Sequence, residues 1–265
     1  MSGKVQRNAG SFRDPSGFIF THNNEIFRYV SPKYREHYDL LMESGLYREL
    51  ADTGCIIPHR EVPKKNHPYS DAYKIIKPDK IPFISYPYEW CFSQLKDAAL
   101  ALLHIRKKAF DYGMDLRDAS AYNMQFYQGK PVLMDTLSFE KFIPGTPWTA
   151  YRQFCQHFLA PLALMSSRDG SLGRMLSCYI DGIPLDIASA LLPASGRLKG
   201  GQLIHIHLHA KSQARYSGRS DVTRQIQGTV GRNAYLGLID SLESTVKKMH
   251  LKKNRTTWDN YYAEH

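Results

Sequence analysis

Three polar residues, Asp118, Asn123 and Asp135, stand at a spacing that suits phosphate and divalent-metal chemistry. Moving a phosphoryl group calls for a carboxylate beside the attacking hydroxyl, and for metal ions held against phosphate oxygens by hard ligands such as Asp and Asn. Asp118 follows Leu116-Arg117, Asn123 comes five residues later, and Asp135 closes the second strand of a hairpin that begins at Met124. On this pattern Asp118, Asn123 and Asp135 together are the candidate phosphate and metal site. The same residue types also cap turns and strand ends, so the elements around them decide how much the spacing means.

Those elements can be read in order. Gly17-Phe-Ile-Phe-Thr and Ile26-Phe-Arg-Tyr-Val30 flank the polar turn His22-Asn-Asn-Glu25 and predict a hairpin. Ser31-Pro32 is a helix start, and Tyr34, Tyr38, Leu41 and Leu46 predict one helix ending near Leu50. Strand-like pieces follow at Cys55-Ile-Ile, Ala72-Tyr-Lys-Ile-Ile and Pro82-Phe-Ile-Ser-Tyr. From Phe92 to about Tyr112, apolar residues recur at three- and four-residue steps and Gly113 is a C-cap, which predicts a long buried helix. The loop carrying Asp118 comes next. A second hairpin pairs Met124–Tyr127 with Pro131–Met134 around Gln128-Gly129-Lys130. Trp148 to about Ser195 has helical period, with further helices predicted over Gly200–Ala214 and Arg232–Met249. The expected division is a small α+β lobe over 1–90, a mostly helical lobe over 91–255, and a tail or junction over 256–265.

Composition sets broad limits. A chain of 265 residues, 43% hydrophobic, has material for a sizeable core. Its four cysteines are widely spaced without a CxxC pair, arguing against a disulfide framework and fitting a reducing, cytoplasmic setting. No apolar run approaches a membrane span, and the first residues lack the apolar core of a secretory signal. The net charge of +10 favours anionic partners in a salt-sensitive way.

Two further groups of residues could carry chemistry. His205, His207 and His209 would share one face of a strand and suit zinc, whereas in a helix only His205 and His209 would, and packing is the simpler role. The basic C-terminal stretch, from Arg197 to Arg255, matches no nucleic-acid-binding signature and is read as a solvated face.

The order of helix, Asp-bearing loop, hairpin and Asp resembles the catalytic loop and metal-binding segment of protein kinases. The resemblance implies a two-lobed, protein-kinase-like fold of the aminoglycoside-phosphotransferase type. It makes Asp118 the residue that orients an acceptor hydroxyl, and Asn123 and Asp135 the ligands of Mg²⁺ carried with ATP. Four features depart from the kinase pattern. Leu116 replaces the usual His, Asp135-Thr-Leu replaces Asp-Phe-Gly, the hairpin lacks a Gly-x-Gly-x-x-Gly loop, and no Val-Ala-Ile-Lys lysine precedes the first helix. Arg28 is the cation nearest that lysine position, with Asp39 and Glu43 on the helix after it. The hinge is expected at Ser85-Tyr-Pro-Tyr-Glu-Trp90. Arg28, Glu43 and Glu89 are therefore the candidate nucleotide-side residues.

Longer strings carry a second resemblance. Phe83 to Ala99, Asp118 to Phe126, Asp135 to Glu140 and Pro147 to Met165 resemble the N-terminal region of bacterial nodulation-type SAM-dependent methyltransferases. Thr257-Trp-Asp-Asn-Tyr-Tyr resembles the junction to their methyltransferase domain. No strand followed by a Gly-rich turn offers a SAM site in this chain. Two expectations follow: a Mg²⁺- and nucleotide-binding module that phosphorylates a small molecule, or a catalytically silent module serving a methyltransferase domain or partner.

Overall fold

In the computed structural model, strand β1 (Val5–Arg7) pairs antiparallel with β2 (Gly17–His22), and β2 with β3 (Glu25–Val30). The structure describes residues 5–8, 14–63, 68–193, 205–206 and 231–251. The β2–β3 turn is tight because Asn23 and Asn24 both take left-handed backbone (φ 53° and 63°), as a two-residue hairpin requires. Strands β4 (His59–Val62) and β5 (Lys74–Pro78) complete a five-stranded antiparallel sheet in the order β1-β2-β3-β5-β4. The hairpin expected from sequence is thus present, but β1 precedes it.

Between β3 and β4 the single expected helix is two, α1 (Arg35–Glu43) and α2 (Leu46–Asp52). Gly45, at φ 91°, breaks the run, and the Ser44 hydroxyl accepts from the Leu46 N–H to start the second piece. Ser31 caps the turn before α1 as read, accepting from Lys33 N. Of the strand-like pieces, Cys55-Ile-Ile makes only an isolated parallel bridge, Ile56 to Leu133. Pro82–Tyr86 is irregular, and β5 lies two residues later than expected.

The long helix α3 (Phe92–Asp111) is present as expected, with Gly113 at φ 73° beyond its end. Its buried face carries Leu95, Ala98, Ala99, Leu102, Leu103, Ile105, Arg106 and Ala109. Strand β6 (Met114–Leu116) pairs with β9 (Phe139–Lys141), and β7 (Met124–Tyr127) with β8 (Lys130–Leu133). The rest is helical: α4 (Tyr151–Phe154), a π-turn over Cys155–Leu159, α5 (Ala160–Ser167), a 3₁₀ segment at Gly170–Ser177, α6 (Leu185–Leu191) and α7 (Arg232–Lys247). The mixed α+β architecture and mostly helical second half match the expectation. The helix expected at Gly200–Ala214 falls largely outside the described residues, as do His207, His209, the basic residues between 211 and 230, and 256–265. No helix among the described residues is long and apolar enough to cross a membrane.

One buried charge organises this half. Arg106, fully buried on α3, donates from Nε to Asp115 Oδ1 at 2.8 Å, and its guanidinium lies 3.8 Å from the Trp148 ring centroid and 4.3 Å from that of Tyr235. Trp148 donates in turn to the Leu116 carbonyl at 2.6 Å. Burial pushes the Asp115 carboxyl up and the Arg106 guanidinium down, and the mutual attraction of the two charges opposes both shifts. Breaking such a pair strands a charge in the core, at a cost of about 3–5 kcal/mol. Asp115→Ala should therefore lose a stability of this order in urea unfolding. Asp115→Asn, which keeps an acceptor for Arg106 and the Leu116 N–H, should lose less.

Candidate functional site

The β7–β8 register sets the site's geometry. Met124 pairs with Leu133, so Asn123 lies opposite Met134, whose N–H donates to the Asn123 carbonyl at 2.8 Å, and Asp135 is the next residue. The turn is tight because Gln128 and Gly129 take left-handed backbone. The hairpin is held from outside by the 55–57 segment: Leu133 N–H donates to the Cys55 carbonyl and Ile57 N–H to the Leu133 carbonyl, both at 2.9 Å. Asp135 then caps a short 3₁₀ turn, accepting from Leu137 N–H at 2.7 Å.

The Asp118 loop is fixed from behind. Asp118 accepts from the Ser120 N–H at 2.9 Å, and Gln153 of α4 accepts from the Ala119 N–H at 2.6 Å. Asp118, Asn123 and Asp135 all line one cleft of about 1100 Å³ between the sheet and the helical part. Ile19 and Ile26 from the sheet, Ile57, and Met134 from the hairpin give this cleft apolar walls, and residues 78–82 with Ile84 and Tyr86 close one side. That side is anchored by Gln125, which accepts from Ser85 N–H at 3.0 Å and donates to the Ser85 carbonyl at 2.7 Å.

Sheet and hairpin meet through charge. Arg28 on β3 donates from Nη1 to Asp135 Oδ1 at 2.8 Å and from Nη2 to Asp14 Oδ2 at 3.2 Å. Arg117 donates from Nη2 to Asp14 Oδ1 at 3.0 Å and from Nε to the Leu137 carbonyl at 3.0 Å. Gly17 permits the close approach, because a Cβ there would meet the Tyr29 carbonyl oxygen at 2.1 Å and Leu137 Cδ1 at 2.8 Å.

Of the residues proposed from sequence, Asp118, Asn123, Asp135 and Arg28 meet in the cleft. Glu43 and Glu89 are not among its lining residues. Glu43 is exposed at the end of α1, and Glu89 is exposed and turned back to accept from Tyr86 N–H at 2.7 Å. Arg28 pairs with Asp135 and Asp14, whereas Asp39 on α1 is taken by Tyr73 and Arg35. Glu43 stays outside because the period of α1 buries Tyr38 and Leu41 instead. Of the three histidines, His205 alone is described, buried against Tyr151 and Ser241. Among the described residues no cluster of three His, Cys, Asp or Glu could hold a metal ion. Sequence reasoning overlooked Asp14, although Asp14-Pro-Ser-Gly17 is a turn signature directly before a strand.

The hydrogen bonds in the cleft leave Asp118 Oδ2, Asn123 Oδ1 and Asp135 Oδ2 without a partner among the described residues. These are hard oxygen donors of the kind Mg²⁺ takes, and Mg²⁺ commonly binds through one or two carboxylates together with substrate phosphates. The donor set therefore fits a metal delivered with a phosphorylated ligand.

No family model matches the chain. It is similar to nodulation protein NoeA of Rhizobium meliloti (strain 1021), at 29% identity over 265 residues, covering 97% of this chain and 55% of that protein. The chain thus spans about half the length of this curated relative. Among solved structures it is similar to vaccinia related kinase 3, at 10% identity and a TM-score of 0.38, covering 96% of this chain and 86% of that one.

Two neutral histidines back the cleft. His59 reaches Thr136, the residue after Asp135, through Nδ1 at 3.4 Å and Tyr38 through Nε2 at 3.2 Å. His157 lies in the π-turn against the Tyr122 ring, with its Nδ1 buried and without a partner among the described residues. Burial holds both near pKa 4, although Glu61 opposes the shift at His59, and Asp118 and Asp181 oppose it at His157. Both values lie below the ordinary 6.5, so the unfolded chain takes up protons first as pH falls. Stability should then be intact above about pH 6.5 and decline toward pH 4, by at most about 3 kcal/mol per histidine. Urea midpoints at pH 7 and 4.5 check this, and His157→Gln should flatten the decline.

Proposed function

We propose that the cleft binds a Mg²⁺-nucleotide and presents its terminal phosphate to an acceptor hydroxyl held by Asp118, making the chain a kinase-like phosphotransferase module. The observation that carries this reading is the convergence of Asp118, Asn123, Asp135 and Arg28, drawn from three separate elements, on one cleft of about 1100 Å³. That volume suits a nucleotide-sized ligand. Its apolar walls suit a base, and its charged end suits phosphates.

Each residue would have a distinct task. Asp118, fixed by the Ser120 N–H, keeps one oxygen to orient the acceptor hydroxyl and take its proton. Asn123 and Asp135 would hold the metal, which when bound supplies charge neutralisation at the phosphate oxygens. Arg28 would offer a guanidinium to the phosphates, where a fork-shaped donor binds two oxygens at once.

A silent, ligand-presenting role is the second reading, and one observation favours it: Arg28 already bonds Asp135 at 2.8 Å, so metal binding must compete with an ion pair. In that case nucleotide would bind without being consumed. Activity in nodulation-type chemistry, and any methyltransferase domain or partner, are proposals that rest on resemblance. No residue of this chain is assigned to methyl transfer or to SAM.

ATP with Mg²⁺ at ten times its Kd should raise the melting temperature by roughly 3–6 °C. Asn123→Ala should remove the metal-dependent part of that shift. Asp118→Asn should keep the shift and abolish ATP consumption with an acceptor. Absence of any shift at millimolar ATP, with and without Mg²⁺, would sink the proposal, whereas a shift without consumption selects the silent reading.

A further inference from the structure

We propose that Arg28 and Arg117 form an anion seat in the cleft, that Asp14 fills this seat as an internal stand-in, and that a phosphate group of the ligand displaces it. The seat lies within the cleft assigned above to a phosphorylated ligand and rests on that reading for the ligand's class.

The geometry is that of two cations sharing one carboxylate. Arg28 comes from the sheet and Arg117 from the end of β6, yet their Nη2 atoms donate to opposite oxygens of Asp14, at 3.2 and 3.0 Å. The Ser16 N–H adds a third donor to Oδ1 at 2.9 Å. Guanidinium groups from distant parts of a chain rarely converge on one point unless an anion sits there, because two like charges repel. Here that anion is the protein's own.

Asp14 satisfies the seat incompletely. Nε and Nη2 of a guanidinium lie on the same edge, and a two-oxygen contact uses both. Asp14 engages only Nη2 of Arg28, and the Nε of Arg28 is buried without a partner among the described residues. A phosphate carries more acceptor oxygens in a tetrahedral array. It can give two to the Nε–Nη2 edge of Arg28 and another to Nη2 of Arg117. Arg28 Nη1 stays on Asp135 throughout.

Charge points the same way. Arg28, Arg117, Asp14 and Asp135 sum to zero, so withdrawal of Asp14 leaves one net positive charge facing an incoming anion. Asp14 can withdraw, since its side chain is 27% exposed and it lines the cleft from the connection between β1 and β2, whereas Arg28 is 13% exposed and Arg117, at 25%, is also held through its Nε by the Leu137 carbonyl. The arginines are the fixed part of the seat and Asp14 the replaceable one.

The test uses inorganic pyrophosphate and ADP without metal, titrated calorimetrically into wild type, Asp14→Asn and Asp14→Asn with Arg117→Gln. Asp14→Asn should bind pyrophosphate roughly tenfold more tightly than wild type, and adding Arg117→Gln should remove the gain. An equal gain for ADP would place the nucleotide's phosphates in the seat, and a gain for pyrophosphate alone would identify it as a site for free phosphates. Unchanged or weaker pyrophosphate binding in Asp14→Asn overturns the proposal. Should that variant melt well below wild type, amide exchange in the wild-type chain replaces it: saturating pyrophosphate should speed exchange of the Ser16 N–H, and unchanged protection overturns the proposal. The two proposals fail separately. A pyrophosphate gain without any MgATP shift keeps the seat and loses the nucleotide, and the reverse keeps the nucleotide and loses the seat.

Discussion

Arg106 has no exposure to solvent, and three segments close around it. Its guanidinium stacks against Trp148 on one side and Tyr235 of α7 on another, while Nε holds Asp115 in β6. Trp148 then fixes the Leu116 carbonyl, and the Arg117 N–H donates to the Ser138 carbonyl, one residue before β9. The backbone entering the Asp118 loop is therefore positioned by a charge that cannot be left alone in the core. Helix α3, strand β6, the segment carrying Trp148 and helix α7 have to assemble together, because each supplies part of the environment that makes the burial tolerable.

The other wall of the cleft is joined by a second set of charges that is partly solvated. Arg28 sits 13% exposed between Asp14 and Asp135, and Arg117 sits 25% exposed on the other side of Asp14. The contrast in burial matters for function. A fully buried pair fixes the scaffold, whereas a partly exposed network of balanced charges can exchange one of its members for a ligand at modest cost. Rigid scaffold beneath and exchangeable charges above is a sensible arrangement for binding a phosphorylated molecule, and Tyr34 ties the two levels together by donating to the Phe139 carbonyl at 2.6 Å.

Local signals in the sequence were informative wherever the structure is local. The period of α3 and its terminal glycine are visible because burial of one helix face repeats every three or four residues. Both hairpins are visible because Asn23-Asn24 and Gln128-Gly129 suit left-handed turns. The break at Gly45 was missed because the apolar stripe continues across it from Leu41 to Leu46. Strands β1, β4, β6 and β9 are three or four residues long and exposed, mixed or wholly buried, so none has an alternating pattern to read. In the cleft, the types of Asp118, Asn123, Asp135 and Arg28 were legible as chemistry. The pairing of Arg28 with Asp135 and of Arg117 with Asp14 was not, since both span about a hundred residues and leave no spacing signal.

The central claim is that Asn123 and Asp135 hold a divalent ion only together with a nucleotide's phosphates. Electron paramagnetic resonance of Mn²⁺ added to the full chain tests this directly. Free Mn²⁺ should persist with protein alone, be taken up when ADP or ATP is added beyond what the nucleotide itself binds, and be released again in Asn123→Ala. Mn²⁺ uptake that ignores nucleotide, or that survives Asn123→Ala unchanged, would contradict the account.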